Sequence, residues 1–144
     1  MESFTVREQI IETVTKLFVY TDYREWEKLQ TEVFTTELYF DMLSLGGDAK
    51  ATTAKDVCDM WRTGFEGIDA VNHLAGNYLV QVNGDTADVF AYATATHYKS
   101  AATLGKTREF VGSYNLHLIR TEQGWRIDIF KYNLKYAGGN LQLT

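Results

Sequence analysis

Val71-Asn72-His73-Leu74-Ala75-Gly76-Asn77 is the stretch at which the chain changes its pattern. Upstream of it apolar residues recur every three to four positions, the period of helices. From Ala70 onward they alternate, the period of strands. The stretch carries the first of three histidines, at the point where a helical layer hands over to a sheet. Asp22, far upstream, is the residue best suited to meet that histidine. Helices first and antiparallel strands after them make an α+β domain with its helices on one sheet face. A curved sheet closed by helices is a cone, and the open end of a cone is a natural pocket.

Working back from that stretch, Thr5-Val6-Arg7-Glu8 reads as a capping box at a helix start. Val6, Ile10, Val14, Leu17 and Phe18 then form one apolar stripe, so a helix is expected over residues 5–20. Asp22-Tyr23-Arg24-Glu25 reads as a second capping box, opening a short helix with Trp26 and Leu29 facing inward. Residues 37–45 alternate as a first strand, ended by Gly46-Gly47. Thr53-Ala54-Lys55-Asp56 starts a third helix bearing Val57, Met60 and Trp61, and Gly64 and Gly67 close it.

Working forward, Leu79-Val80-Gln81-Val82 leads into Asn83-Gly84-Asp85, the strongest hairpin signal in the chain. The partner strand, residues 86–99, sets Ala87, Val89, Ala91, Ala93, Ala95 and His97 on one face. A turn at residues 100–106 precedes a strand over 110–120, with Tyr114, Leu116 and Leu118 on one face. Glu122-Gln123-Gly124 turns the chain into a last strand, residues 125–136, and residues 137–144 read as a tail.

Length and composition fit one domain spanning residues 1–144. With 45% apolar and 14% aromatic residues, the chain can build a core without metal or disulfide staples. The one cysteine, Cys58, excludes an intramolecular disulfide and reads as a small buried hydrophobe. The net charge of −5, with scattered Lys and Arg, offers no basic stripe for nucleic acid. No apolar run reads as a signal peptide or membrane span, so a cytoplasmic protein without a membrane partner is expected. The three histidines lie far apart in sequence and no ligand spacing is present, so no metal is expected. Gly46-Gly47 and Gly138-Gly139 lack the strand–glycine–helix context of a phosphate loop, and nothing points to flavin, nicotinamide or another cofactor.

Asp22-Tyr23-Arg24-Glu25-Trp26, Leu38-Tyr39-Phe40-Asp41, Asn72-His73-Leu74-Ala75-Gly76-Asn77 and Arg120-Thr121-Glu122-Gln123-Gly124-Trp125-Arg126-Ile127 together resemble the SnoaL-like branch of the NTF2-like cone proteins. The ending Lys135-Tyr136-Ala137-Gly138-Gly139-Asn140 belongs to the same likeness. Within that superfamily the chain looks most similar to scytalone dehydratase, bile-acid 7α-dehydratase and hexachlorocyclohexane dehydrochlorinase. The resemblance implies an NTF2-like cone and cofactor-free lyase chemistry with a histidine base held by an aspartate. Asp22 matches that aspartate, and His73-Leu74-Ala75-Gly76 matches the family's His-x-x-Gly run. Leu17 and Thr21 stand where two of those enzymes carry tyrosines.

Asp22 and His73 are thus the candidate dyad: a carboxylate can fix the tautomer of an imidazole and stabilise its charged form during proton abstraction. The plain alternatives are a helix cap for Asp22 and a core histidine for His73. His97 ends a row of small residues, where a concave sheet leaves space, and is the candidate to assist a leaving group. Its alternative is a strand-end histidine in water. Tyr20, Tyr39, Trp61, Phe65 and Tyr92 are candidates to line an apolar substrate pocket, with simple core packing as the alternative. Asp41 is either a buried acid or a strand-end turn former, and His117 should lie on the surface or at a subunit interface. The expected function is a dehydratase-like lyase or an isomerase acting on a small hydrophobic molecule. A non-catalytic binding cone is the rival. Tyr98, His117 and Tyr132 on outward sheet positions point to a homodimer, or to a trimer.

Overall fold

The structure is a computed structural model that describes residues 3–144. Helix α1 (Val6–Asp22) opens with the expected capping box: Thr5 Oγ1 accepts from the Glu8 amide, and Glu8 accepts from the Thr5 amide. A single turn, α2 (Trp26–Lys28), runs into a five-residue π turn (Leu29–Val33). Strands β1 (Phe34–Asp41) and β2 (Ala49–Thr53) flank a 3-10 turn, and α3 (Ala54–Gly64) follows, capped by Thr53. Four long strands complete the chain: β3 (Ala70–Asn83), β4 (Thr86–Tyr98), β5 (Thr107–Thr121) and β6 (Gly124–Gly139).

The six strands form one sheet in the order β2-β1-β6-β5-β4-β3, antiparallel except where β1 runs parallel to β6. The helices cover one face of it. Ile10, Val14 and Leu17 of α1 belong to the same buried cluster as Val89, Leu116, Leu118, Trp125 and Ile127 of the sheet. Each such side chain contributes roughly 1.5–3 kcal/mol by leaving water. That burial fixes α1 against the concave face.

The β4–β5 ladder runs without interruption from Thr86↔Ile119 to Tyr98↔Thr107. The strands on either side of it do not. Strand β3 carries an extra residue between Gly76 and Leu79, where Asn77 adopts a φ of 57°. Strand β6 carries one between Ile127 and Ile129 and another between Leu134 and Tyr136. A bulge bends its strand and shifts the alternation of side chains by one. The two bulges in β6 therefore reset which of its residues face the helices. Gly112 of β5 fits this irregular partner because it lacks a side chain. A Cβ there would lie 2.4 Å from the Asn133 carbonyl and 2.5 Å from the Tyr132 hydroxyl.

Several sequence expectations are corrected. Asp22 does not begin a second capping box: it is the last residue of α1, and α2 has no side-chain cap. Instead α1 ends in a Schellman motif, with the Arg24 amide donating to Thr21 and the Glu25 amide to Tyr20. Arg24 takes the left-handed position at φ 58°, a place usually held by glycine. The first strand runs over Phe34–Asp41 rather than 37–45, because the Asp41 carboxylate accepts from the Leu43 amide and turns the chain. Strand β2 was not foreseen. It is a short edge strand of Ala, Lys and Thr without apolar alternation. Residues 137–144 are not a loose tail: β6 extends to Gly139, and Leu143 is buried against Ile68 and Val71. Tyr132 faces the concave side, not outward, because the first β6 bulge reverses the parity set by Trp125 and Ile127.

Candidate functional site

The concave face and the helices enclose a cavity of about 230 Å³. Such a volume suits a small ligand better than a drug-sized one. Its walls come from the end of α1 (Leu17, Phe18, Thr21), from α3 and the turn after it (Trp61, Phe65), and from the inward rows of β3 to β6. The polar groups are few and they converge.

His73 stands on β3, with its ring in this cavity. Asp22 reaches it across 51 positions of sequence: Oδ2 accepts from the His73 amide at 2.9 Å, and Oδ1 lies 2.5 Å from Nδ1. An ionised carboxylate only accepts, so Nδ1 carries the proton and Nε2 keeps its lone pair. Each side chain is 11% exposed, and the Phe18 ring sits 5.5 Å from the imidazole. A carboxylate at the C-terminal end of a helix faces the negative pole of the helix dipole, an unfavourable place. Two hydrogen bonds from one residue offset that cost. Helix capping does not account for Asp22.

His97 lies on the same face of β4, buried at 9% exposure. It is two residues beyond Ala95, the partner of His73. Such diagonal neighbours have Cβ atoms roughly 7–8 Å apart. Arg108 Nε donates to His97 Nδ1 at 3.0 Å, which requires Nδ1 to be unprotonated. Burial, reinforced by the charge of Arg108 and by that of His73 whenever it is protonated, lowers the His97 pKa to about 4. At neutral pH His97 is therefore uncharged, with its proton on Nε2. The two imidazoles take opposite tautomers: His73 is arranged as an acceptor and His97 as a donor.

Tyr114 of β5 also lines the cavity, and burial holds its phenol well above the ordinary range, so it too stays protonated. Thr21 cannot serve the same way, since its hydroxyl donates to the Leu17 carbonyl at 2.6 Å. Tyr132 reaches the cavity wall, but its hydroxyl is buried and unpartnered among the described residues.

Of the other sequence candidates, Trp61 and Phe65 line the cavity and Tyr20, Tyr39 and Tyr92 do not. Tyr20 turns to the outer side of α1, where its hydroxyl donates to Glu32. Tyr39 is exposed on β1, since its inward neighbours are Leu38 and Phe40. Tyr92 lies on the outer face of β4, beside Phe90 and beneath Lys135. His117 also faces outward, as expected, but pairs there with Asp128 at 2.6 Å. Cys58 is fully buried and its thiol is pushed up to about 11 by burial, so it offers no thiolate at neutral pH.

The sequence reading missed Arg108, Phe110, Phe130 and Tyr132 as wall residues. Parity offered a signal for the first two, which share even-numbered positions with Tyr114, Leu116 and Leu118 on β5. For Phe130 and Tyr132 the bulge hid the signal.

Among the described residues no three metal-binding side chains gather, and no helix is long and apolar enough to cross a membrane. No curated protein matches the chain significantly. Among solved structures, the Kfla4162 protein of Kribbella flavida is similar at a TM-score of 0.88 and 27% identity, with 95% of each chain covered. A scytalone dehydratase-like protein of Novosphingobium aromaticivorans superposes at 0.78 with 12% identity, over 90% of this chain and 84% of its own. The hexachlorocyclohexane dehydrochlorinase LinA-type3 of Novosphingobium barchaimii superposes at 0.76 with 10% identity, over 92% of this chain and 88% of its own. At such low identities these last two likenesses establish the NTF2-like fold alone. The model of the SnoaL-like domain matches residues 2–131, nearly the whole chain, and the chain belongs to that family.

Proposed function

We propose that the chain is a cofactor-free lyase, dehydratase-like, with double-bond isomerisation as the related alternative chemistry, acting on a small hydrophobic molecule. The observation that carries this reading is the buried Asp22–His73 pair opening onto an apolar cavity. His73 Nε2 takes a proton from carbon. Asp22 holds the ring in the Nδ1–H tautomer and stabilises the imidazolium that forms. His97 Nε2–H donates to the oxygen that departs or gathers charge, and Tyr114 is the second donor within the walls. General base catalysis of this kind supplies about 10² to 10⁴ in rate.

The test is a panel of small β-hydroxy carbonyl compounds and their unsaturated products, assayed in both directions. Turnover by the wild type should fall at least a hundredfold in both His73→Gln and Asp22→Asn. Activity in Asp22→Asn within twofold of wild type would sink the dyad.

The second reading, a binding cone without chemistry, is favoured by one observation: the Thr21 hydroxyl is committed to Leu17, so α1 supplies no acid. A small molecule recovered unchanged after long incubation, with His73→Gln binding it equally well, would decide for binding. We also propose that the outer sheet face, with exposed Leu74, Leu79, Tyr92 and Ile129, joins two copies of the chain.

A further inference from the structure

Arg108 is the one charged side chain in the lining of the cavity as described. Its guanidinium is held at two points: Nε donates to His97 Nδ1, and Nη1 donates to the Leu141 carbonyl at 2.8 Å. The Phe110 ring lies 5.6 Å from its central carbon. Among the described residues no carboxylate lies within ion-pair range of it, and its Nη2 has no acceptor. The nearest acid of the site, Asp22, is committed to His73. A guanidinium fixed at two corners, backed by an aromatic ring and left without a counter-charge is arranged for an anion from outside the protein.

The anion can be specified further. Arg108 is the one guanidinium of the wall and the donors beside it, His97 and Tyr114, are neutral, so the second charge of a phosphate or sulfate would go unmatched in a wall that is otherwise mostly apolar. A single carboxylate on a hydrocarbon body fits both facts, since its one charge is matched by one guanidinium. The strand register places it relative to the base. Val71, His97 and Arg108 form one row across β3, β4 and β5, and His73, Ala95 and Phe110 form the next row on the same face. Adjacent rows are about 7 Å apart along the strands.

We propose that the ligand of this cavity carries a carboxylate that binds Arg108, several bonds away from the carbon facing His73. Arg108 selects substrates by charge and holds them so that the reacting carbon meets the imidazole. It also sets the tautomer of His97, so recognition and polarisation are coupled through one hydrogen bond. The substrate class is accordingly a small hydrophobic acid rather than a neutral alcohol or ketone. This rests on the reading of the cavity as a substrate site, but charge selection does not depend on catalysis.

The experiment compares 3-phenylpropanoate with its neutral isostere 3-phenylpropanamide, by calorimetric titration of the full chain. The wild type should bind the acid about tenfold more tightly than the amide, as a charge-assisted hydrogen bond warrants. That preference should shrink as salt is raised. It should vanish in Arg108→Gln, with amide affinity kept within twofold, and return in part in Arg108→Lys, which restores charge without the planar fork. Equal affinity of acid and amide in the wild type overturns the proposal, as does a preference that survives in Arg108→Gln or the binding of neither compound. If Arg108→Gln does not fold, the Arg108→Lys protein and the salt dependence of the wild type decide. Asp22→Asn should keep the full preference for the acid. Loss of the lyase reading would thus leave charge selection standing, and the reverse also holds.

Discussion

Strands β4 and β6 both line the cavity, and they do so by opposite means. Strand β4 pairs on both sides over most of its length and presents a strict row of small residues: Ala87, Val89, Ala91, Ala93 and Ala95. The last of them, Ala95, lines the cavity and leaves it room, while the other four are buried in the core. Strand β6 is broken by two bulges and turns large rings, Phe130 and Tyr132, into the same hollow. Those rings limit the space and shape its wall. Regularity makes room, and irregularity aims the residues that fill the remainder.

Inserting one alanine between Ile129 and Phe130 of β6 should have the largest effect. It would reverse the alternation beyond the first bulge and swing Phe130 and Tyr132 outward, forfeiting about 5 kcal/mol of apolar burial. Chemical denaturation should then show no cooperative transition. An insertion mutant within about 1 kcal/mol of wild type would mean that the parity of β6 does not aim these rings.

His97, at the end of the regular row, gives the next effect. Its folded pKa of about 4 lies below the ordinary 6.5, so between those values the unfolded chain binds a proton that the native state refuses. Stability should be unaffected by this residue above pH 6.5, decline as pH falls from 6.5 towards 4, and level off below that, by about 3 kcal/mol in all. Melting curves of wild type and His97→Gln across that range should diverge in slope. Parallel curves would refute a neutral buried imidazole.

Ala95→Leu tests the space itself. A leucine opposite His73 should occupy the cavity, cost about 1–3 kcal/mol of stability and abolish ligand binding. Retained binding would locate the ligand elsewhere. The smallest effect belongs to the outer face of the same strand. Thr96→Ser should change stability by less than about 1 kcal/mol and leave binding untouched, because that side chain faces away from the cavity.

The same contrast explains what could be read in the sequence. The β4 row was legible to its last residue, since alternation carries through wherever a ladder is unbroken, and it led to His97. The meeting of Asp22 with His73 was legible through the family likeness. Its geometry was not, because the Asp22-Tyr23-Arg24-Glu25 run imitates a capping box. Arg24, in a left-handed conformation without glycine's signature, ends α1 there instead. Tyr132 was misdirected by a bulge that no residue type announces. Tyr20, Tyr39 and Tyr92 were named for their chemistry, when their facing is decided by neighbours on other elements. Arg108 was legible by parity, but a charged residue on an inward row was passed over.

The hydrogen bond from the His73 amide to Asp22 has a consequence beyond chemistry. Strand β3 is an edge of the sheet, and the amides on its free side have no neighbouring strand to receive them. An open edge of that kind is a template for another chain. Near its start, at His73, the Asp22 carboxylate occupies the place of the missing strand and sets a negative charge where a second edge would have to dock. The residue proposed to orient the base therefore also blocks part of an open sheet edge, so loss of this side chain should be felt in solubility as well as in turnover.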